Sequence, residues 1–180
     1  MDNRELAAQV VFYLGLAELV ESRLAVSDDY KYAVNALNTC WDWIEHKNVP
    51  AATIMDLFHD DDDFGVEASM GVEHDPLLWN TWVCVAIAVA VTARVAYQQE
   101  GAHALPADLE GVGTSDTRDQ FASSFRVLIP IDTVTEQYSV VVGDLPELAT
   151  RSTARDLAFS VLHEAAVEFK SSAQTGAQES

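Results

Sequence analysis

Basic residues are scarce in this 180-residue chain. Three Lys and seven Arg stand against 29 Asp and Glu, for a formal net charge of -19. That scarcity excludes nucleic-acid binding, because a phosphate backbone must be met by clustered cations. It excludes an anionic membrane surface on the same ground. Cysteine is nearly absent. Cys40 and Cys84 both sit in apolar helical runs, so they read as buried free thiols rather than a disulfide. No paired Cys or His spacing of a structural zinc site is present. Also missing are an internal repeat, a Gly-rich phosphate loop after a strand, and a nucleophile elbow. The N-terminus lacks the positive region of a signal peptide, since uncharged Leu6 to Ala17 follow Asp2, Arg4 and Glu5. A cytoplasmic protein is expected.

What is present is apolar mass in helical register. At 49% hydrophobic residues the chain can bury a core, unlike a disordered acidic tail. Leu6, Val10, Leu14, Ala17, Val20 and Leu24 recur at three and four residues, which predicts a first helix over 4–24. Ser27 offers an N-cap to a second, running to His46 with Tyr30, Ala33, Val34, Leu37, Cys40, Trp41 and Ile44 inward. A short third helix is expected over 51–59, and 66–73 is ambiguous. Asp75 then Pro76 is a helix start, a capping side chain followed by Pro at the first helical position. The helix it opens should reach Glu100 and stop at Gly101. Pro76 to Ala93 carries no charge over 18 residues. That is marginal for a membrane span and fits the buried centre of a bundle.

A fifth helix is predicted over 117–129, with Phe121, Phe125 and Leu128 inward and Pro130 as its stop. Residues 132–144 have both helical and strand signals. Thr133 and Glu136 have capping-box spacing, and Val134, Tyr138, Val141 and Leu145 fit a helix face, yet 139–142 also favour a strand. A last helix should end near Ser171, aligning Ala154, Ala158, Val161, Ala165 and Phe169. The expected architecture is one all-α domain over 1–171, six or seven helices around a central helix at 76–100. A flexible tail is expected over 172–180.

The chemistry of known motifs fails at decisive positions. With Gly65 as the invariant glycine of a calcium loop, Asp60 and Asp62 take ligand positions, but Phe64 and Gly71 fall where ligands are required. His163 and Glu164 open like a zinc-protease motif whose second histidine position holds Val167. His163 reads as a surface residue. No metal or cofactor is expected.

Two features stand out. Residues 48–117 hold 12 acidic residues and one base, Arg94, whereas the other 110 hold 17 and 9. The acid is concentrated in the loops around the central helix, more than uniform solubility requires. The second feature is Trp41-Asp42-Trp43, whose tryptophans lie about 200° apart on a helix. Trp41 belongs to the core stripe. Trp43 shares another side with Tyr32, Ala36 and Thr39, so either this second helix is buried on two sides or Trp43 is an exposed aromatic anchor. Trp79 and Trp82, one turn apart, read as core.

The string Cys40-Trp41-Asp42-Trp43-Ile44, the short helix ending at the Asp60 to Gly65 loop, the long helix from Asp75-Pro76, and Ala96-Tyr97 through Gly101 to Leu105-Pro106 and Glu110 resemble a family of bacterial polymorphic-toxin immunity proteins. The likeness covers mainly residues 30–112, in order and spacing. It implies a cytoplasmic helical protein that binds and occludes a toxin, with no catalytic residues. The expected partner is a basic toxin protein. Asp60, Asp61, Asp62 and Asp63 would steer it, Glu67, Glu73 and Asp75 would support them, and Trp43 with Tyr32 would anchor it. Two alternatives are a helical metal-dependent or hydrolytic enzyme using Asp56, His59 or His74, and a helical scaffold.

Overall fold

The computed structural model describes residues 3–59, 65–130, 133–143 and 150–176. These form eight α-helices and no strand. They are α1 (Asn3–Val20), α2 (Tyr30–His46), α3 (Ala51–Phe58), α4 (Val66–Val72), α5 (Pro76–Gln99), α6 (Ser115–Leu128), α7 (Thr133–Gly143) and α8 (Arg151–Gly176).

The centre is α5. Asp75 caps it, its Oδ1 accepting from the Leu77 and Leu78 amides at 2.8 and 3.1 Å, with Pro76 at the first helical position. Gly101 lies just past its end at φ 75°, a conformation open to glycine at no steric cost. Every residue from Thr81 to Ala93 is buried. Valine-rich sequence is a weak helix former, but burial on all sides outweighs that preference. The two hydroxyls in this stretch are satisfied within the helix, Thr81 on the Leu77 carbonyl and Thr92 on the Ala88 carbonyl. Alanines 86, 88, 90, 93 and 96 let α1, α2, α3, α4 and α6 pack directly against it. This is also the one described helix long and apolar enough to cross a membrane, and 78% of its apolar window is buried inside the fold.

The first predicted helix divides. After Val20 the chain tightens into a 3-10 helix over Glu21–Val26, with Leu24 still buried. Ser27 does not cap α2. Its Oγ accepts from the Asp29 amide at 3.2 Å, closing a turn, and α2 starts at Tyr30. The ambiguous 66–73 stretch is α4. Gly65 precedes it at φ 130°, where a Cβ would stand 3.2 Å from the Leu57 carbonyl oxygen. Residues 133–143 resolve as helix α7. Val134, Tyr138 and Val142 are buried at a spacing of four, and Tyr138 Oη donates to the Ala154 carbonyl at 3.1 Å. The strand preference of this run has no neighbouring strand to satisfy it among the described residues, whereas α1 and α8 offer an apolar surface. Leu145 lies outside the described residues. Residues Phe121, Phe125 and Leu128 point inward from α6, and Ala154, Ala158, Val161 and Ala165 from α8, as their spacing predicts. The helix α8 runs past Ser171 to Gly176.

The start of α8 is clasped by polar groups. Arg151 Nε donates to Glu18 Oε1 at 2.6 Å, Nη1 donates to Asn38 Oδ1 at 2.6 Å, and the Arg151 amide donates to Glu45 Oε1 at 2.8 Å. The Glu18 side chain is 5% exposed, so this ion pair is largely screened from solvent on its acidic side.

Candidate functional site

The acid-rich stretch joins α3 and α4, which both pack on α5, to the start of α5. Helix α3 starts against the far end of α5, where the Ala51 amide donates to Glu100 Oε1 at 2.7 Å. At its other end His59 Nδ1 lies 2.6 Å from Glu67 Oε2 on α4. Asp60, Asp61, Asp62 and Asp63 lie between these partners in sequence and outside the described residues. Beyond α4, Glu73 Oε1 accepts from the amides of His74 and Asp75 at 2.8 and 2.9 Å. The Asp75 carboxylate caps α5. Of the predicted acids, Glu67, Glu73 and Asp75 thus share one connected α3–α4–α5 corner, each also holding local backbone or side-chain structure.

The aromatic pair sits differently. Trp43 is 3% exposed, so it is not the surface anchor that one of the two readings of this helix required. Ala36, on the same side of α2, is fully buried, so α2 is buried on two sides. Helix α2 lies between α5 and α3, and this is the physical reason. The face of the Trp43 ring is covered by Lys47, whose Nζ stands 3.5 Å from the ring centroid. Lys47 ends α2 at φ 52°, in the left-handed region, which brings its side chain back over the helix. Burial pulls its amine down to about 8, while the ring face works the other way by favouring the cation. Tyr32 is half-buried, with Lys31 Nζ 4.9 Å from its ring centroid.

Trp79 is the aromatic that sequence reasoning misplaced. Trp82 is fully buried, but Trp79 is 40% exposed. The available signal was Asp75-Pro76, which puts Trp79 in the first turn of α5, before the helix enters the core.

The residues offered for metal or hydrolytic chemistry do not assemble. Among the described residues no three His, Cys, Asp or Glu side chains are grouped to hold a metal ion. Asp56 and His74 are exposed, and His59 faces Glu67. A cleft of about 300 Å³ is lined by Glu5, Tyr13, Arg118 and Ser139 among others, and another of about 410 Å³ by Gln9, Arg94 and Gln98 among others. Neither lining includes a His or Cys to act as base or nucleophile. The thiols are buried on α2 and α5. Desolvation raises Cys40 to about 12 and pushes Cys84 up as well, so both are protonated and inert. His163 is exposed, as expected.

No curated protein and no solved structure matches the chain. Residues 8–128 match the family model described as Immunity protein Imm6. That span runs from α1 through α6 and contains the whole acid-rich corner, so the chain belongs to the Imm6 family, non-enzymatic immunity proteins of bacterial polymorphic toxin systems.

Proposed function

We propose that this immunity protein neutralises its cognate toxin by occlusion, and that its acid-rich segment meets a basic toxin surface in the cytoplasm. The observation that carries this reading is the 12-to-1 excess of acid over base in residues 48–117, all inside the family-matched span. Opposite charge across an interface mainly raises the rate of encounter and rejects wrong partners. Asp60, Asp61, Asp62 and Asp63 form the densest charge, and Glu67, Glu73 and Asp75 extend it. Family membership removes the enzymatic alternative.

The test is association kinetics with the cognate toxin domain, prepared as an inactive variant. Changing the four aspartates to Asn should slow association about tenfold or more and flatten its dependence on salt. An unchanged association rate would remove the steering role.

A further inference from the structure

Arg94 is the one base in residues 48–117, and it sits on the central helix α5. Its guanidinium makes no hydrogen bond and no ion pair among the described residues, and Nη1 is buried without an acceptor. Arginine keeps its charge at any physiological pH. A buried donor left without an acceptor is costly, more so when it is charged, and folded proteins seldom keep one without a use. The chain holds 29 Asp and Glu, so carboxylates are not lacking. None is placed on this cation.

Arg94 lines the cleft of about 410 Å³ that lies between α1, α5 and the loop before α6. It is the only charged residue of that lining. The amides of Gln9 and Gln98 border the cleft with it, and Leu6 and Val95 supply apolar wall. Arg94 and Gln9 meet at Gly113. A Cβ there would stand 3.3 Å from Arg94 Nη1 and 3.4 Å from Gln9 Nε2, so both nitrogens border the small space that a side chain would fill. Gly113 has φ 80°, a conformation that glycine adopts without strain. Its amide donates to Thr117 Oγ1 at 3.1 Å, and that hydroxyl donates to the Gly111 carbonyl at 3.2 Å, which fixes the loop beside the guanidinium.

A charged fork and neutral amides over apolar wall match a carboxylate carried on a short alkyl chain. The guanidinium fits the two oxygens of a carboxylate, the amides add donors, and the aliphatic side chains meet the alkyl part. A doubly charged phosphate is a poorer fit, because a chain of net charge -19 repels it more strongly.

We infer that this cleft binds a carboxylate, with Arg94 pairing the ligand's charge and Gln9 as a second donor. Arg94 is only partly buried, and the cleft gives its guanidinium room to turn toward the ligand. Such a carboxylate has two sources, a free small acid or an Asp or Glu side chain of the toxin. The site does not depend on the acidic steering proposed above.

The test is an NMR titration of the full chain with butyrate, following the Gly113 amide and the Arg94 Nε–H, with butyramide and chloride as controls. Butyrate should give saturable shifts at both groups with a dissociation constant of about 1 mM or below. Arg94→Gln should weaken binding about tenfold or more. Arg94→Lys keeps the charge without the fork and should weaken it less, which supplies a second variant if Arg94→Gln fails to fold. No saturable shift in the wild-type chain would overturn the site. Equal shifts from butyramide or chloride, or unchanged binding in folded Arg94→Gln, would overturn it as well. Adding the inactive cognate toxin domain then separates the sources. Competition with butyrate, together with weaker toxin binding by Arg94→Gln, would support the site and assign its ligand to the toxin. Toxin binding indifferent to both would support a free small acid as the ligand.

Discussion

His59 and Glu67 meet at 2.6 Å and so join the end of α3 to the start of α4, on either side of the Asp60–Asp63 stretch. Both side chains are about half exposed, and pairs of that kind contribute little to stability, on the order of 0.5 kcal/mol. Glu67→Gln should shift a urea unfolding curve by under about 1 kcal/mol. A larger loss would mean that the pair holds the α3–α4 corner more firmly than an exposed ion pair does.

Asp75 caps α5, and it also carries one of the charges of the acid-rich corner. Asn is as good a cap as Asp, and Ala is not a cap. Asp75→Ala should cost about 1 kcal/mol of stability, whereas Asp75→Asn should leave stability nearly unchanged and slow toxin association. Thermal melts and association rates of the two variants separate the roles. Equal melts for both would deny the cap its energetic role.

Gly15 is required by a neighbour rather than by its backbone. A Cβ there would land on Tyr138 Oη and stand 2.8 Å from Cζ, on a ring that is fully buried and bonded to the Ala154 carbonyl. Gly15→Ala should destabilise the fold by about 2 kcal/mol, the usual cost of overpacking. Adding Tyr138→Phe removes the nearest clashing atom. The double variant should lose less than the sum of the two single losses. Additive losses in urea titrations would refute the contact.

The thiols predict a loss of stability in alkali. Cys40, raised by burial from its ordinary 9.0 to about 12, keeps its proton in the fold at a pH where the unfolded chain has released it. Cys84 is shifted in the same direction for the same reason. The unfolded state then binds fewer protons than the native state, so stability falls as pH rises. The contribution is whole below pH 9 and is lost between about 9 and 12. Cys40→Ala should make the alkaline decline of the urea midpoint shallower. In addition, neither thiol should react with iodoacetamide at pH 8 until the chain unfolds.

Much of this fold was legible because the strongest signals are local. The Asp75-Pro76 start and the charge-free run after it located α5, and regular spacing located the buried faces of α6 and α8. The strand preference of 139–142 misleads because packing of Tyr138 between α1 and α8 decides that segment, and such a contact is invisible in a short window. The unexpected burial of Trp43 and exposure of Trp79 have a similar cause. A helix wheel shows which residues share a side, but not how many sides the neighbours cover. Nor does it show where along its length a helix enters the core. The acidic corner, in contrast, was legible as charge alone.

The clasp on Arg151 has a consequence for the boundary of the unit that must fold. The family-matched span ends at residue 128, before α7 and α8, yet Glu18 of α1 depends on a cation that arrives from α8. A chain cut after Pro130 would keep the Glu18 carboxylate while removing its cation, and would uncover the α1 surface that α7 and α8 occupy. In this protein the family-matched portion therefore leaves one side of α1 uncovered and the Glu18 carboxylate without its cation. Its first helix is completed by sequence that the family model does not include.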